Sequence, residues 1–321
     1  MCEENQTQVT QIRLLGFQSL HKYRSLLFIV FLLTYLFILV GNLLIILLVT
    51  IIDHLKIPMY FFLKHLSIAD VLLTTTVVPM MLAIISVEES VLSFWGCMIQ
   101  LYLFGVFGFA QCYLIAVMSF DRYLAICLPL RYFSLMGPHL CLQLVIGSWL
   151  LVSLLISSGF LILIQFNFCG LNSIDHFFCD FGPMVELSTS DTSILILQDF
   201  VISIFIIFFP FAFIIMTYIC IFFTIFKISS MFGRRKAFST CSSHLITVCA
   251  YYGALITVYM APSDENSIHI NKYRSLLYVV VTPLMNPIIY SLRNHEIKRA
   301  MQKMVILILQ MVDLKVQSSC I

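Results

Sequence analysis

Charge is what this chain has least of. Its 321 residues include 18 Lys and Arg and 16 Asp and Glu, 11% in all, against 61% hydrophobic residues and a mean hydropathy of +1.01. Soluble domains carry charge at roughly a quarter of positions, so a water-soluble globule is excluded. Disorder is excluded too, since it needs few apolar residues and much charge. The net charge of +2 supplies no broad basic field for nucleic acid.

The gaps between charges are long, and a helix crossing a hydrocarbon core needs about 20 apolar residues. Seven gaps qualify: Ser25–Ile52, Val71–Val87, Ser90–Phe120, Tyr132–Ile174, Phe200–Phe226, Ala237–Ser263 and Ser275–Leu292. The fourth is long enough for a helix plus a loop, and its polar residues His139, Gln165, Asn167 and Gly170 predict a helix from about 139 to 164. The second is short unless it starts at Pro58, which suits a first helical turn because its missing N–H would have had no partner there. That start draws Asp70 into the membrane. Pro283 and Pro287 predict a kink in the seventh. The fold class is therefore an all-α membrane protein, a seven-helix bundle over residues 25–292, with an N-terminal segment 1–24 and a tail 293–321.

Threaded with the N-terminus outside, the inner segments hold 13 of the 18 basic residues and the outer ones 11 of the 16 acids. Positive-inside counting thus places the N-terminus outside the cell and the tail in the cytoplasm of a multi-pass plasma-membrane protein. Met1–Thr10 is polar and the first apolar run is long, so no cleavable signal is expected. Asn5-Gln6-Thr7 is a glycosylation sequon on the outer side.

Seven spans alone suit a receptor, a transporter or a proton pump. The third ends in Met118-Ser119-Phe120-Asp121-Arg122-Tyr123-Leu124-Ala125-Ile126-Cys127 and the seventh in Pro283-Leu284-Met285-Asn286-Pro287-Ile288-Ile289-Tyr290-Ser291-Leu292-Arg293-Asn294. Both resemble signatures of rhodopsin-like G-protein-coupled receptors. Further words, Leu14-Leu15-Gly16-Phe17, Gly41-Asn42, Pro58-Met59-Tyr60-Phe61-Phe62-Leu63 and Lys236-Ala237-Phe238-Ser239-Thr240-Cys241-Ser242-Ser243-His244-Leu245, are similar to those of odorant receptors, in order from about residue 13 to 303. A transporter would show paired inverted halves and charges along a path, which this sequence lacks. A membrane enzyme would need a His/Asp/Glu or Ser/His set at one depth, and none is evident.

The resemblance implies roles that the residues can support. Asp121 can pair with Arg122 at rest, and release of the pair would free the guanidinium for carbonyls of an entering G-protein helix. The plainer alternative is an interfacial Arg with its stem in lipid. Tyr123 completes that motif. Asn286-Pro287 frees a backbone carbonyl and supplies an amide to fill the gap, with Tyr290 swinging between partners; a static proline kink is the alternative. Asp70, deep in the bilayer, needs a partner or a proton. Asn42, Asn286 or a sodium ion are the candidates, but the third-helix position where many odorant receptors place a second acid is Gln111, which weakens a sodium site. Cys97 and Cys179 resemble the pair that bridges the third span to the second outer loop. Cys169 then stands as a spare thiol unless Cys2 takes it, because its usual partner position is Thr189. His176, Cys179 and nearby acids lack a convincing metal-ligand set.

A small volatile ligand calls for an apolar, aromatic pocket with one or two polar groups. On the third helix Phe104, Gly108 and Cys112 share a face at four-residue spacing, flanked by Gly105 and Phe109. On the sixth, Tyr252, Leu255, Ile256 and Tyr259 form a stripe, with Ser203 and Ile207 on the fifth helix and Val279 on the seventh completing a ring. Taken alone, each stripe is better explained by helix–helix packing than by a ligand wall, and only the resemblance shifts the weight toward a pocket. No acid precedes Asp121 in the third span, no lysine lies between Arg274 and Arg293, and no basic residue lies in the outer half of the sixth span. Ammonium ligands, a retinal Schiff base and carboxylate ligands are thereby disfavoured, and neutral hydrophobic odorants are expected. The implied partners are such an odorant, a heterotrimeric G protein of the stimulatory olfactory type acting through cAMP, and membrane lipid. The basic loop Lys227 to Lys236 and an amphipathic helix within Glu296 to Leu309 suit the inner surface.

Overall fold

The computed structural model describes residues 9–87, 89–170, 172–259, 272–293 and 296–302. Asn5 lies outside them. Among the described residues six helices are long and apolar enough to cross a membrane. They are α1 (Arg24–Ile51), α2 (Pro58–Val87), α3 (Phe94–Cys127), α5 (Pro138–Leu163), α7 (Ser193–Lys227) and α8 (Met231–Tyr259). The seventh, α9, covers residues 272–293 and includes a π-helical stretch, Leu277–Val281, before Thr282–Arg293. A matching π stretch, Ile204–Phe208, interrupts α7. Short helices α4 (Pro129–Leu135) and α6 (Phe181–Glu186) lie in connections, and α10 covers residues 296–302. The chain is a multi-pass, seven-helix membrane bundle.

Local sequence sets the helix starts. α2, α4 and α5 each open on a proline, where the missing N–H costs nothing. α3 is capped by the Ser93 hydroxyl, which accepts from Gly96 N–H at 3.1 Å. α5 ends one residue before the predicted 164, whereas α8 begins at Met231, before the last charge of the predicted loop. The connection between α7 and α8 is therefore only residues 228–230. Basic residues can continue a helix beyond the membrane, and the charge gap marked the membrane edge instead of the helix end.

α3 is the central helix. In its most apolar stretch 67% of residues are inside the protein, against 28% for α1 and 22% each for α5 and α7. The outward faces of those three carry exposed Leu33, Val40, Leu154 and Phe209, as a helix in lipid should. One end of the bundle is closed by a three-stranded sheet of order β2-β1-β3, where β1 is Gln11–Leu14, β2 Ser90–Ser93 and β3 Ser173–Ile174. β1 pairs antiparallel with β2 and parallel with β3, in a register that sets Arg13 opposite Val91 and Ser173. Ile12 and Leu14 alternate inward and are fully buried. This sheet end is the one holding the N-terminal segment and the long α5–α7 connection.

Candidate functional site

The sheet end is fastened covalently and ionically. Cys97 at the start of α3 is bonded to Cys179, with Cα atoms 5.5 Å apart. Lys272, almost fully buried, donates from Nζ to Asp175 Oδ1 at 2.6 Å and to the Gly16 carbonyl at 2.8 Å, tying α9, the loop and the N-terminal segment together. Gly16 has φ +59°, and a Cβ there would lie 2.3 Å from Ile84 Cγ2, so both conformation and space call for glycine. His176, buried beside this ion pair, stacks on Phe177. Burial and then the Lys272 charge push its pKa down to about 3. Cys169 is disulfide-bonded. The expectation of a spare thiol is corrected accordingly: the absent partner at position 189 did not leave Cys169 unpaired.

Under this cap lies a cavity with about 770 Å³ of empty space, including the part open to its surroundings. α3 contributes Leu101, Tyr102, Phe104, Gly105 and Phe109; α5 contributes Ile156, Gly159, Phe160 and Leu163; the loop adds Asp180 and Phe181; α7 adds Asp199, Ile202, Ser203, Ile206 and Ile207. Of the ring expected from sequence, Phe104, Gly105, Phe109, Ser203 and Ile207 line it. Gly108, Cys112, Tyr252, Leu255, Ile256 and Val279 do not, and the Tyr259 side chain lies outside the described residues. A tyrosine cluster separates the two groups. Tyr251 Oη donates to the Gly108 carbonyl at 2.9 Å and lies 3.1 Å from Cys112 Sγ. Tyr278 fills the space over Gly108, where a Cβ would fall 2.1 Å from its Oη. Tyr252 packs on Phe211, ring centroids 4.6 Å apart, Leu255 and Val279 are buried, and Ile256 faces outward at 48% exposure. Packing thus claims the α8 stripe, and the cavity opens toward α5 instead.

Midway along the bundle, Asp70 Oδ2 accepts from Asn286 Nδ2 at 2.7 Å. Pro287 leaves the carbonyl four residues earlier without its helical N–H, and the donor that fills the gap is Asn42, whose Nδ2 reaches Pro283 O at 3.2 Å. The expectation gave that task to Asn286; it is occupied with Asp70. Gly41 permits the approach, since a Cβ there would lie 2.8 Å from Pro287 Cβ. Asp70 Oδ1, Asn42 Oδ1 and both amide atoms of Gln111 are buried without hydrogen-bond partners among the described residues. There, no three His, Cys, Asp or Glu side chains converge on a metal-sized site.

At the far end Arg122 pairs with Asp121, donating from Nη2 and, at 3.0 Å, from Nε to Oδ2. The second carboxylate oxygen accepts from Tyr132 Oη on α4 at 2.7 Å. Asp121 is wholly buried and Arg122 9% exposed, so the pair is withheld from solvent. Tyr123 stacks on Phe120, and Tyr290 is fully buried.

Comparison with known proteins identifies the architecture. The profile of the olfactory receptor family matches residues 31–307. The chain belongs to the olfactory receptor family. The receptor is 45% identical over 303 residues to olfactory receptor 11L1 of Homo sapiens, covering 94% of this chain and 93% of that one. It is 43% identical over 303 residues to human olfactory receptor 10A7, covering 94% and 95%. It is also 45% identical over 306 residues to olfactory receptor 5P81 of Mus musculus, covering 93% and 95%. The receptor is accordingly no enzyme.

Three features of the receptor escaped the sequence reading. His244 is buried with Nδ1 2.6 Å from Tyr218 Oη and Nε2 3.1 Å from the Ile115 carbonyl, joining α3, α7 and α8; its place in the Lys236–Leu245 word was the available signal. Tyr132 as a holder of Asp121 had no signal beyond being a tyrosine shortly after the motif. The Lys272–Asp175 tie joins residues from distant parts of the chain, and only its opposite charges hinted at it.

Proposed function

We propose that the receptor is an odorant-activated G-protein-coupled receptor whose ligand sits in the cavity between α3, α5 and α7. The sheet end faces the extracellular side of the plasma membrane and the Asp121–Arg122 end faces the cytoplasm. The charge distribution supports this orientation, because the basic residues concentrate away from the sheet. The observation that carries the reading is the apolar, aromatic cavity itself, built under a disulfide-fastened cap and one bundle-length from a buried, paired arginine.

The wall suits a small hydrophobic molecule with a polar handle, for which the Ser203 hydroxyl is available; the Tyr102 phenol lies 3.1 Å from Ser157 Oγ and can only accept from a ligand while it keeps that bond. It contains Asp180 and Asp199 and no basic residue, so carboxylate ligands are disfavoured, and the expectation that no acid is at hand for an ammonium group is corrected by these two side chains from the loop and α7. Ligand contact pulls α7 and α3 together at the sheet end and favours a state in which the cytoplasmic ends of α3 and α8 part. Arg122 then leaves Asp121 and meets carbonyls of the G-protein helix. On the same face Leu130, 99% exposed on α4, is an apolar contact for that partner. The partner is a stimulatory olfactory-type G protein and the output is cAMP.

The test is a panel of acids, alcohols, esters and terpenoids read out by cAMP in cells supplied with that G protein. Alcohols, esters or terpenoids are the expected agonists, and a response confined to short-chain acids would overturn the ligand class. Arg122→Ala should abolish the response at equal surface expression; full signalling by that variant would remove the arginine from the mechanism.

A further inference from the structure

The receptor has a second large opening at the end opposite the sheet, far from the ligand cavity. It holds about 1130 Å³ of empty space, again including its open part. α1, α2, α5 and their connections surround it. Its lining is apolar, with Leu55, Met136 and Cys141 buried, Phe61 half-buried and Phe133 85% exposed. Lys56 and Lys64 also line it, and no Asp or Glu does.

The two lysines are differently engaged. Lys64 Nζ lies 5.5 Å from the Phe61 ring centroid and has no carboxylate partner among the described residues. Lys56 pairs with Asp53, but both are exposed, and exposed pairs contribute little, so Lys56 can exchange that partner for a stronger anion. An apolar slot beside two ammonium groups, opening between membrane-crossing helices, has the polarity of an amphiphile with a negative head: the acyl chains meet Phe61 and Phe133, and the phosphate meets the lysines. We propose that this groove is a binding site for one anionic phospholipid of the inner leaflet. A soluble phosphate would leave most of the lining unsatisfied, so the lipid is the occupant. α4 joins the groove to the switch, because Phe133 neighbours Tyr132, whose hydroxyl holds Asp121.

The inner-leaflet assignment rests on the orientation proposed above, whereas binding itself does not, so the two are tested separately. Purified full-length receptor is placed in nanodiscs of phosphatidylcholine with rising fractions of phosphatidylserine or phosphatidylinositol 4,5-bisphosphate, both faces alike, and retained lipid is counted by native mass spectrometry. The wild type should retain one anionic lipid. Lys56→Gln with Lys64→Gln should weaken retention roughly 30-fold, at about a factor of five for each charge near the surface. Lys64→Arg should keep it, and Arg235→Gln, on α8 away from the groove, should leave it unchanged. Equal retention by the double variant, an equal loss in Arg235→Gln, retention of phosphatidylcholine alone, or displacement by inorganic phosphate would each overturn the site. A misfolded double variant is recognised by loss of the monodisperse peak in size exclusion, and then the single variants, each expected to lose about fivefold, decide. Antibody access to the tail in intact cells tests the orientation independently.

Discussion

Gly108 shows how one missing methyl shapes the ligand half of the receptor. With Tyr278 Oη where a Cβ would clash, Gly108→Ala should lower stability by about 1–3 kcal/mol through overpacking. Adding Tyr278→Phe removes the nearest atom and should recover part of that loss. Thermal unfolding of the two single variants and the double in detergent gives the coupling; additive losses would deny the contact. The same residue shows where sequence reading ran out. Four-residue spacing correctly put Phe104, Gly108 and Cys112 on one face of α3, but periodicity says nothing about what stands in front of that face. Tyr251 and Tyr278 arrive from other helices and close it at Gly108, while Phe104, one turn nearer the sheet, remains on the cavity wall.

Helices were the most legible feature, because a long gap between charges is a local property that lipid enforces. The start of α2 at Pro58 and the extent of α5 followed from single polar or proline positions. The partner of a freed carbonyl did not, since it depends on how α1 meets α9. Asn42 donates to Pro283 O only because Pro287 cannot. Asn42→Ala should therefore cost about 1–3 kcal/mol, the penalty for a buried acceptor left unpaired. In a Pro287→Ala background the restored N–H of residue 287 supplies the bond, and the same Asn42→Ala change should cost distinctly less. Equal melting-temperature losses in the two backgrounds would show that the asparagine does something else.

At the scale of the whole receptor, the sheet end behaves as a single fastening in which a buried histidine sits beside a buried ion pair. The neutral form of His176 is favoured by burial and by the nearby Lys272 charge, opposed by Asp175. The unfolded chain takes up a proton below about pH 6.5 that the folded receptor refuses until about pH 3, so stability is complete above the first value and falls as pH drops between them. The loss from pH 6.5 to 5 is about 1.6 kcal/mol, because the slope reaches its limit of roughly 1.4 kcal/mol per unit only below the unfolded pKa. The melting temperature of the wild type should decline over that interval, and the slope should flatten in His176→Gln whatever that variant's own starting stability. Of this closure only Cys97–Cys179 was expected from sequence, and only through resemblance. Lys272 meets Asp175 and the Gly16 carbonyl only once the loop has folded, which local composition does not describe, and the bonded state of Cys169 was likewise unmarked.

The π stretches in α7 and α9 carry a consequence for inheritance of sequence change. Each packs a surplus residue into one turn, so side chains before and after it are out of phase by about 100° relative to an unbroken helix. Losing one residue from Ile204–Phe208 would let α7 close as ordinary α-helix and swing its sheet-end portion, Asp199 and Ser203 included, to a new azimuth, while Phe209–Lys227 stayed in place. Such a deletion re-aims the odorant wall without touching the transducing half: a change of tuning by indel that no single substitution reproduces.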